Sequence, residues 1–338
     1  MSQPTTQSHL TPQQIVDDLW GAWKTQTLIA GIELEVFTHI AAGKRTAKDI
    51  ARAAKASLRG MERLLDALVG LGYLTKKGDK YGLNSVAELF LVRTSERYIG
   101  GMAYSSKLVW NIWSHLTDAV RSGQPVHAVD GETDGKEFFP KLVGSIFTTS
   151  FGAAKAAVEA LPGKTRDGIK TVLDVAAGSA AWSLAFAQAI PDARVTVLDF
   201  PEVIPVARQF VERFGLTDRY DYVEGNLREV NFGRGCYDLV ILGHIIHSEG
   251  EKWGKRLIQK SRRALRDGGM LLIGEFVPND TRTAPPVPLM FALNMLLHTT
   301  DGNVFTMREY RQWLQDAGFK KVTTIDAPAP SPLILATA

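Results

Sequence analysis

Two aspartates and a histidine stand where strand-like runs give way to helices, and such positions are where an α/β chain does its chemistry. Asp174 lies near the end of the apolar run Thr171–Val175 and is followed by Ala176-Ala177-Gly178-Ser179-Ala180, which reads as a tight turn leading into a helix. Small residues there let the backbone N–H groups of a helix entrance approach a ligand closely. The Asp174 carboxylate can hold a ligand's ammonium group. Asp199 ends the next strand-like run, Arg194–Asp199, where a carboxylate accepts hydrogen bonds from both hydroxyls of a ribose. The 25 residues between the two aspartates fit one β-α-β unit. His247 follows the run Leu239–Leu242 and precedes Ser248-Glu249-Gly250-Glu251, which reads as a capping box opening the next helix. His247 is therefore expected at the carboxyl end of a strand, on the rim where open α/β sheets bind ligands. His244, three residues earlier, is expected to point elsewhere along extended chain and is read as structural.

A scaffold must position these groups. Strand-like runs at 171–175, 194–199, 221–223, 239–242 and 270–275 alternate with helical patterns at 183–189, 203–214 and 252–265. That alternation predicts a parallel sheet with helices on both faces. Two closing runs, 321–326 and 333–337, flank a Pro-rich turn and read as an antiparallel pair. The first hundred residues follow another plan. Helical spacing runs from Gln13 to Ile40, Thr46 and Ser57 read as N-caps, and Leu58, Met61, Leu65, Leu68 and Leu71 form an apolar stripe. Gly72 stops that helix, and a hairpin follows around a Lys-Gly-Asp turn, which completes the plan of a winged helix. The predicted division is a winged-helix-like helical domain over 1–105 and an α/β domain over 106–338. Residues 1–12 read as a disordered lead-in, and a Gly/Asp-rich loop is expected near 130–135.

Composition narrows the possibilities. The 338 residues are 45% hydrophobic and 22% charged, with a formal charge of +3 from interleaved acidic and basic residues. So small a surplus does not by itself argue for nucleic acid or an anionic membrane, and neither is expected as a partner. Cys236 is the only cysteine, which excludes an intrachain disulfide and a two-cysteine metal site. The seven histidines show no metal-ligand spacing, so no metal is expected. The polar start lacks the plan of a signal peptide, and no apolar run approaches the ~20 residues that span a bilayer. The expectation is a soluble, cytoplasmic protein.

Taken in order, these segments resemble the class I S-adenosylmethionine-dependent methyltransferases, specifically the plant-type small-molecule O-methyltransferases and their bacterial relatives, over nearly the whole chain. The stretches Gly31-Ile32-Glu33-Leu34-Glu35-Val36-Phe37 and Glu62-Arg63-Leu64-Leu65-Asp66-Ala67-Leu68 are similar to that family's dimerisation domain. The Asp174 turn resembles its first cofactor motif, Asp199-Phe200-Pro201 its ribose-binding strand end, and Glu224-Gly225-Asn226-Leu227 its adenine-side turn. His244-Ile245-Ile246-His247 resembles the catalytic-histidine segment, with Arg266-Asp267-Gly268-Gly269 and Leu272-Ile273-Gly274-Glu275 behind it. The resemblance implies a doubly wound, Rossmann-like sheet, a homodimer, and S-adenosylmethionine bound by Asp174, Ala176, Gly178, Asp199, Phe200, Gly225, Asn226 and Leu227. It implies methyl transfer to a hydroxyl of a small aromatic acceptor, with His247 as general base and Glu275 beside it. Ala176, Ala177 and Ala180 stand at glycine positions of the motif, and alanine suits such a turn only where φ is negative. Asn226 replaces a common aspartate; its carbonyl can still accept from an adenine amino group, without charge assistance. Ser248 replaces a frequent acid, and the segment 301–306 lacks a second supporting glutamate.

On the acceptor side, Phe291, Asn294, Met295 and His298 follow the i, i+3, i+4, i+7 spacing of one helical face. Core packing accounts for Phe291 and Met295. It accounts poorly for Asn294 and His298, because buried polar groups need partners. The face is read as acceptor-lining, and the aromatic-rich stretch from Tyr104 adds Trp110 and Trp113. Two other readings stand beside this one. The first is an N- or C-methyltransferase, or another S-adenosylmethionine enzyme, on the same fold. The second is a winged-helix DNA-binding regulator with a degenerate cofactor domain, against which Arg59, Glu62, Arg63 and Asp66 give the would-be recognition helix mixed charge.

Overall fold

The computed structural model describes residues 10–129, 132–328 and 332–338. The chain divides into two compact units, the first ending at Ala103 and the second running from Tyr104 to Ala338, two residues ahead of the boundary read from the sequence. The lead-in expected over 1–12 lies outside the described residues up to position 9, whereas Thr11 already caps the first helix and Pro12 begins it. Residues 130–131 of the expected loop and 329–331 of the Pro-rich turn also lie outside them. No helix among the described residues is long and apolar enough to cross a membrane.

The first unit holds α1 (Pro12–Leu19), α2 (Gly21–Glu33), α3 (Val36–Ala41), α4 (Ala47–Ala53), α5 (Leu58–Gly70), a hairpin of β1 (Leu74–Lys77) and β2 (Lys80–Leu83), and α6 (Ser85–Leu91). The helical pattern of 13–40 is broken at Trp20 and again at Glu35, which takes a left-handed conformation with φ of 50°. Thr46 and Ser57 accept the backbone N–H of Asp49 and Gly60, the caps their residue types predict. Helix α5 buries Met61, Leu65 and Leu68 against Val36, Phe37, Ile40, Ile50 and Tyr81. By contrast, α1 and the start of α2 leave Ile15, Leu19, Trp20 and Trp23 exposed, with the two indoles stacked 5.4 Å apart.

In the second unit, α7 (Met102–Trp113), which begins at the boundary, leads to α8 (Leu116–Ser122), α9 (Glu132–Val143), α10 (Phe147–Ala160) and α11 (Gly163–Asp167). There follow β3 (Thr171–Val175), α12 (Ala181–Ala189), β4 (Arg194–Asp199), α13 (Ile204–Arg213), β5 (Tyr220–Glu224), β6 (Tyr237–Gly243), α14 (Ile246–Ala264) and β7 (Leu265–Gly274). The chain closes with α15 (Pro286–His298), α16 (Met307–Asp316), β8 (Lys321–Ile325) and β9 (Leu333–Thr337). The seven strands stand in the order β5-β4-β3-β6-β7-β9-β8. All pairs from β5 to β7 are parallel, and β9 is antiparallel to both neighbours. Successive strand residues face opposite sides. One face buries Val172, Leu239, Ile241 and Leu272 under α10 and α12; the other buries Leu173, Val240, Leu242 and Ile273 under α14 and α16.

From β3 the chain winds to β4 and β5 on one side, then returns to β6 and β7 on the other. That reversal leaves a crevice beyond the carboxyl ends of β3 and β6, the usual ligand position in open α/β sheets. Asp174, Asp199, Gly243 and Glu275 lie at or just past the carboxyl ends of β3, β4, β6 and β7.

One packing arrangement there joins three elements. Trp182, in the first turn of α12, is 3% exposed and lies flat over the ends of β6 and β7. A Cβ built on Gly243 or Gly274 would run into its indole ring. Both glycines are thus required by the tryptophan rather than by their own torsions. Overfilling a packed core typically costs about 1–3 kcal/mol. Gly274→Ala is expected to lower the melting temperature by several degrees, and combining it with Trp182→Leu to recover most of the loss in a thermal melt. A Gly274→Ala protein as stable as the parent would show that the indole is free to move.

Candidate active site

The small-residue turn leaves β3 with left-handed backbone at three alternate positions. Ala176, Gly178 and Ala180 have φ of 52°, 59° and 56°, all left-handed. The condition that alanine sits at negative φ is therefore not met here, and Ala176 and Ala180 carry strain that glycine would not. A Cβ on Gly178 would meet Val143 of α9 at 2.9 Å, so this position also admits no side chain.

Two buried carboxylates flank the turn. Asp199 accepts the backbone N–H of Gly178 at 2.8 Å and of Phe200 at 2.7 Å, one on each oxygen. Asp174 accepts the N–H of Ser183 on Oδ2 at 3.2 Å, while its Oδ1 is buried with no partner. Burial pushes the Asp174 carboxyl up to about 7 and that of Asp199 up to about 6, against the pull of those N–H groups. Each carboxylate keeps lone pairs without a cationic partner, an arrangement that a ligand's ammonium and hydroxyl groups would complete. The turn after β5 is tied to the same strand end, since Gly225 donates its N–H to the Asp199 carbonyl at 2.9 Å. Lys260 holds the carbonyls of Leu227 and Val230 from below. The Asn226 side-chain carbonyl, expected to face an adenine, already accepts the N–H of Arg228 at 2.9 Å, and its amide N–H groups remain the free end.

His247 is placed differently from its expected position. The capping box at Ser248 is not formed; α14 starts at Ile246, so His247 belongs to its first turn. The helix is interrupted at Gly250, with φ of 73° and no room for a Cβ beside the Asp301 carbonyl. The cap comes from the neighbouring strand. Glu275 Oε1 accepts the N–H groups of Ile246 and His247 at 2.8 and 3.2 Å, and its Oε2 lies 2.7 Å from His247 Nδ1. A carboxylate beside Nδ1 makes that nitrogen the donor, which leaves Nε2 with its lone pair. Burial raises the Glu275 carboxyl, and the imidazole and N–H groups more than offset it, so the group is held below the usual carboxylate range. Asn303 donates to the His247 carbonyl at 2.8 Å, and Phe291 meets the imidazole edge-on at 4.8 Å.

His244 does not point elsewhere. With φ of 61° it turns back so that its ring packs 5.3 Å from Phe276, 5.9 Å from Trp182 and 6.1 Å from His247. Burial pushes its imidazole down to about 4, so it is neutral near pH 7. Lone-pair atoms of His244, His247 and Glu275 fall within 4.8 Å of one another, a grouping that spacing along the chain did not reveal. Both Glu275 oxygens are committed to N–H donors, so no metal is assigned.

Helix α15 brings its expected face to this point in part. Phe291 contacts His247 and packs against Phe276 in a tilted pair 4.1 Å apart, and Asn294 accepts the Trp113 indole N–H at 3.0 Å. Met295 and His298 are buried on the same face. Trp110 makes no side-chain hydrogen bond or ring contact among the described residues. Phe276 and Val143 were missed by sequence reading. Phe276 directly follows Glu275 and was accessible by position, whereas Val143 reaches the turn only through the docking of α9.

Strand ends, small-residue turn and His–Glu pair together define a class I methyltransferase fold. Residues 113–320 match the O-methyltransferase domain family and residues 17–93 the O-methyltransferase dimerisation domain. The chain belongs to this O-methyltransferase family and is an enzyme of that class. It is 29% identical over 327 residues to the 3-hydroxy-5-methyl-1-naphthoate 3-O-methyltransferase of Streptomyces sahachiroi, covering 94% of this chain and 92% of that one. It is 28% identical over 334 residues to the acetylserotonin O-methyltransferase of Mus musculus, covering 91% and 84%. A solved structure from Nostoc punctiforme PCC 73102 superposes with a TM-score of 0.86 at 28% identity, covering 98% of this chain and all of that one. Human N-acetylserotonin methyltransferase, solved in complex with SAM, shares the fold with a TM-score of 0.83 at 24% identity, over 98% and 99% of the two chains.

The left-handed alanines give a direct test of the turn's strain. Left-handed backbone costs an L residue roughly 1–2 kcal/mol, partly balanced by the extra unfolded freedom of glycine. Ala180→Gly is expected to raise the melting temperature by a few degrees and Ala180→Val to lower it. A stabilised valine variant would contradict the observed φ.

Proposed function

We propose that this enzyme methylates a hydroxyl of a small aromatic acceptor, with His247 as general base and Glu275 as the residue that positions it. The methyl donor is S-adenosylmethionine. When bound, it supplies a methyl group already activated by a positive sulfonium. The observation that carries the reading is the 2.7 Å contact between Glu275 Oε2 and His247 Nδ1, which leaves Nε2 as a lone pair.

A phenol near pKa 10 is mostly protonated at neutral pH, so the proton limits its nucleophilicity. His247 Nε2 takes that proton as the oxygen attacks, and the Glu275 carboxylate stabilises the imidazolium that forms. His244, kept neutral by burial, adds no competing charge. Phe276, Phe291 and Met295 supply apolar walls for a ring, and Asn294, Trp113 and Trp110 the more polar side. On the cofactor side, Asp174 Oδ1 takes the ammonium and Asp199 the ribose hydroxyls. The turn through Ala176 and Gly178 gives close backbone approach, with Phe200, Gly225, Asn226 and Leu227 around the base. The exposed aromatic face of α1 and α2 serves self-association into a homodimer, in keeping with the dimerisation domain.

Five outcomes test this reading. General-base assistance contributes about 10²–10⁴-fold, so His247→Ala should lower kcat by that order at pH 7 with S-adenosylhomocysteine affinity nearly unchanged, although the loss of a donor to the buried Glu275 should also lower the melting temperature. Glu275→Gln should lower kcat less and likewise spare the affinity; activity within a few-fold of wild type in both variants would remove His247 as base. Asp199→Ala should weaken S-adenosylhomocysteine binding at least tenfold by calorimetry, from the loss of charge-assisted bonds worth about 1.5–3 kcal/mol each. Because burial raises both aspartates, the unliganded fold binds extra protons, and their contribution to its stability falls as pH rises from about 4 to about 7. Ligand groups that need the ionised carboxylates should therefore bind more tightly as pH rises through 6–7. A flat affinity over that range would put the ligand elsewhere. Light scattering should show a dimer that Trp20→Ser/Trp23→Ser weakens; a monomeric parent would exclude the assembly.

A further inference from the structure

His298 is a buried imidazole that the reaction does not use. It ends α15, is 2% exposed, and its Nδ1 lies 2.8 Å from the backbone carbonyl of Asn294, one turn earlier on the same helix. A carbonyl only accepts, so Nδ1 carries the hydrogen and Nε2 is left as a pure acceptor. That Nε2 is buried and has no hydrogen-bond partner among the described residues. Leaving a buried acceptor unsatisfied carries a desolvation cost that leucine or methionine at the same place would not incur. Burial and the nearby His127 also hold the imidazole below its usual range, against the pull of the Asn294 carbonyl, so it stays neutral and keeps its lone pair.

We propose that His298 Nε2 receives a second hydrogen-bond donor of the acceptor molecule, remote from the hydroxyl that is methylated, so that the acceptor is an extended aromatic of two or more rings bearing a hydroxyl or N–H group at its far end. The inference rests on the acceptor reading given above and adds length and polarity to it. Phe291, whose ring meets His247, and His298 lie on one face of α15, seven residues apart, which at 1.5 Å per residue is on the order of 10 Å along the helix. A single ring cannot bridge that span, whereas two joined rings can. Between the two ends the face presents Asn294, whose carbonyl is taken by the Trp113 indole, and the apolar Met295. At the far end Phe138 of α9 packs 6.0 Å from the His298 ring, an aromatic wall for a distal ring. The face thus runs from a proton-accepting imidazole, past aromatic and apolar surface, to a second imidazole able only to accept.

The test compares 4-hydroxybiphenyl with 4,4′-dihydroxybiphenyl, which differ only by a distal donor. Sites built to bond a substrate hydroxyl discriminate strongly against analogues that lack it. Wild-type enzyme is expected to favour the dihydroxylated compound by at least about tenfold in kcat/KM, and His298→Leu to bring the two within about twofold. An equal preference in both proteins, or none in wild type, overturns the proposal. A second readout needs neither turnover nor the variant. In ¹⁵N-labelled wild type loaded with S-adenosylhomocysteine, the Nε2 resonance of His298 should shift upfield with the dihydroxylated compound and stay in place with the other. An unmoved resonance overturns the proposal even if methylation occurs. If neither compound is methylated, the acceptor class proposed above fails, while the nitrogen shift still decides whether His298 takes a distal donor.

Discussion

The site depends on one buried carboxylate. Glu275 stands just past β7, 1% exposed, and binds three N–H groups of a single segment: the backbone of Ile246 and His247 and the imidazole of His247. An ionised group so deep is tolerated only when its lone pairs are matched by donors, and here the donors come from the orphan N–H groups of a helix start. The same contacts that satisfy the charge therefore join β7 to α14 and fix which imidazole nitrogen bears hydrogen. Position, tautomer and electrostatic support are one interaction seen from three sides.

The two aspartates present the opposite case. Asp174 is buried as deeply and Asp199 nearly so, yet Asp174 Oδ1 has no partner, Asp199 is held by one backbone N–H on each oxygen, and burial raises them both. The adjoining turn holds two alanines in left-handed backbone. Strain and unmatched charge gathered at one place are tolerable when a ligand relieves them. A site built this way gives up some stability of the empty fold in exchange for affinity.

Much of this was readable from residue order. The parallel strands β3, β4, β6 and β7 show themselves as apolar runs bounded by small or polar residues, because a strand buried on both faces needs nearly continuous hydrophobicity, whereas the edge strand β5 is largely polar and exposed. Asp199 marks its strand end to the residue, and the spacing of Phe291, Asn294, Met295 and His298 declares one helical face. The start of α14 was misplaced for a physical reason. Ser248-Glu249-Gly250-Glu251 has the composition of a local cap, but the cap in use is Glu275, 28 and 29 positions away from the donors it satisfies. Local pattern cannot show a cap that arrives from another strand. The same holds for His244, whose left-handed backbone reverses its side chain, and for Val143, which meets Gly178 only after α9 docks. The single helical pattern of 13–40 hid its breaks because apolar periodicity survives a short kink.

The Trp182 indole seated on Gly243 and Gly274 also bears on how such a chain changes over time. These three positions lie on separate elements, but they fill one volume, so a change at one constrains the other two. A glycine cannot acquire a side chain while the indole remains, and removing the indole first opens a void at the ends of β6 and β7. Among related chains, size should be traded between the helix and the two strand ends in step. A chimera that exchanges β6 and β7 without α12 would receive half of a joint.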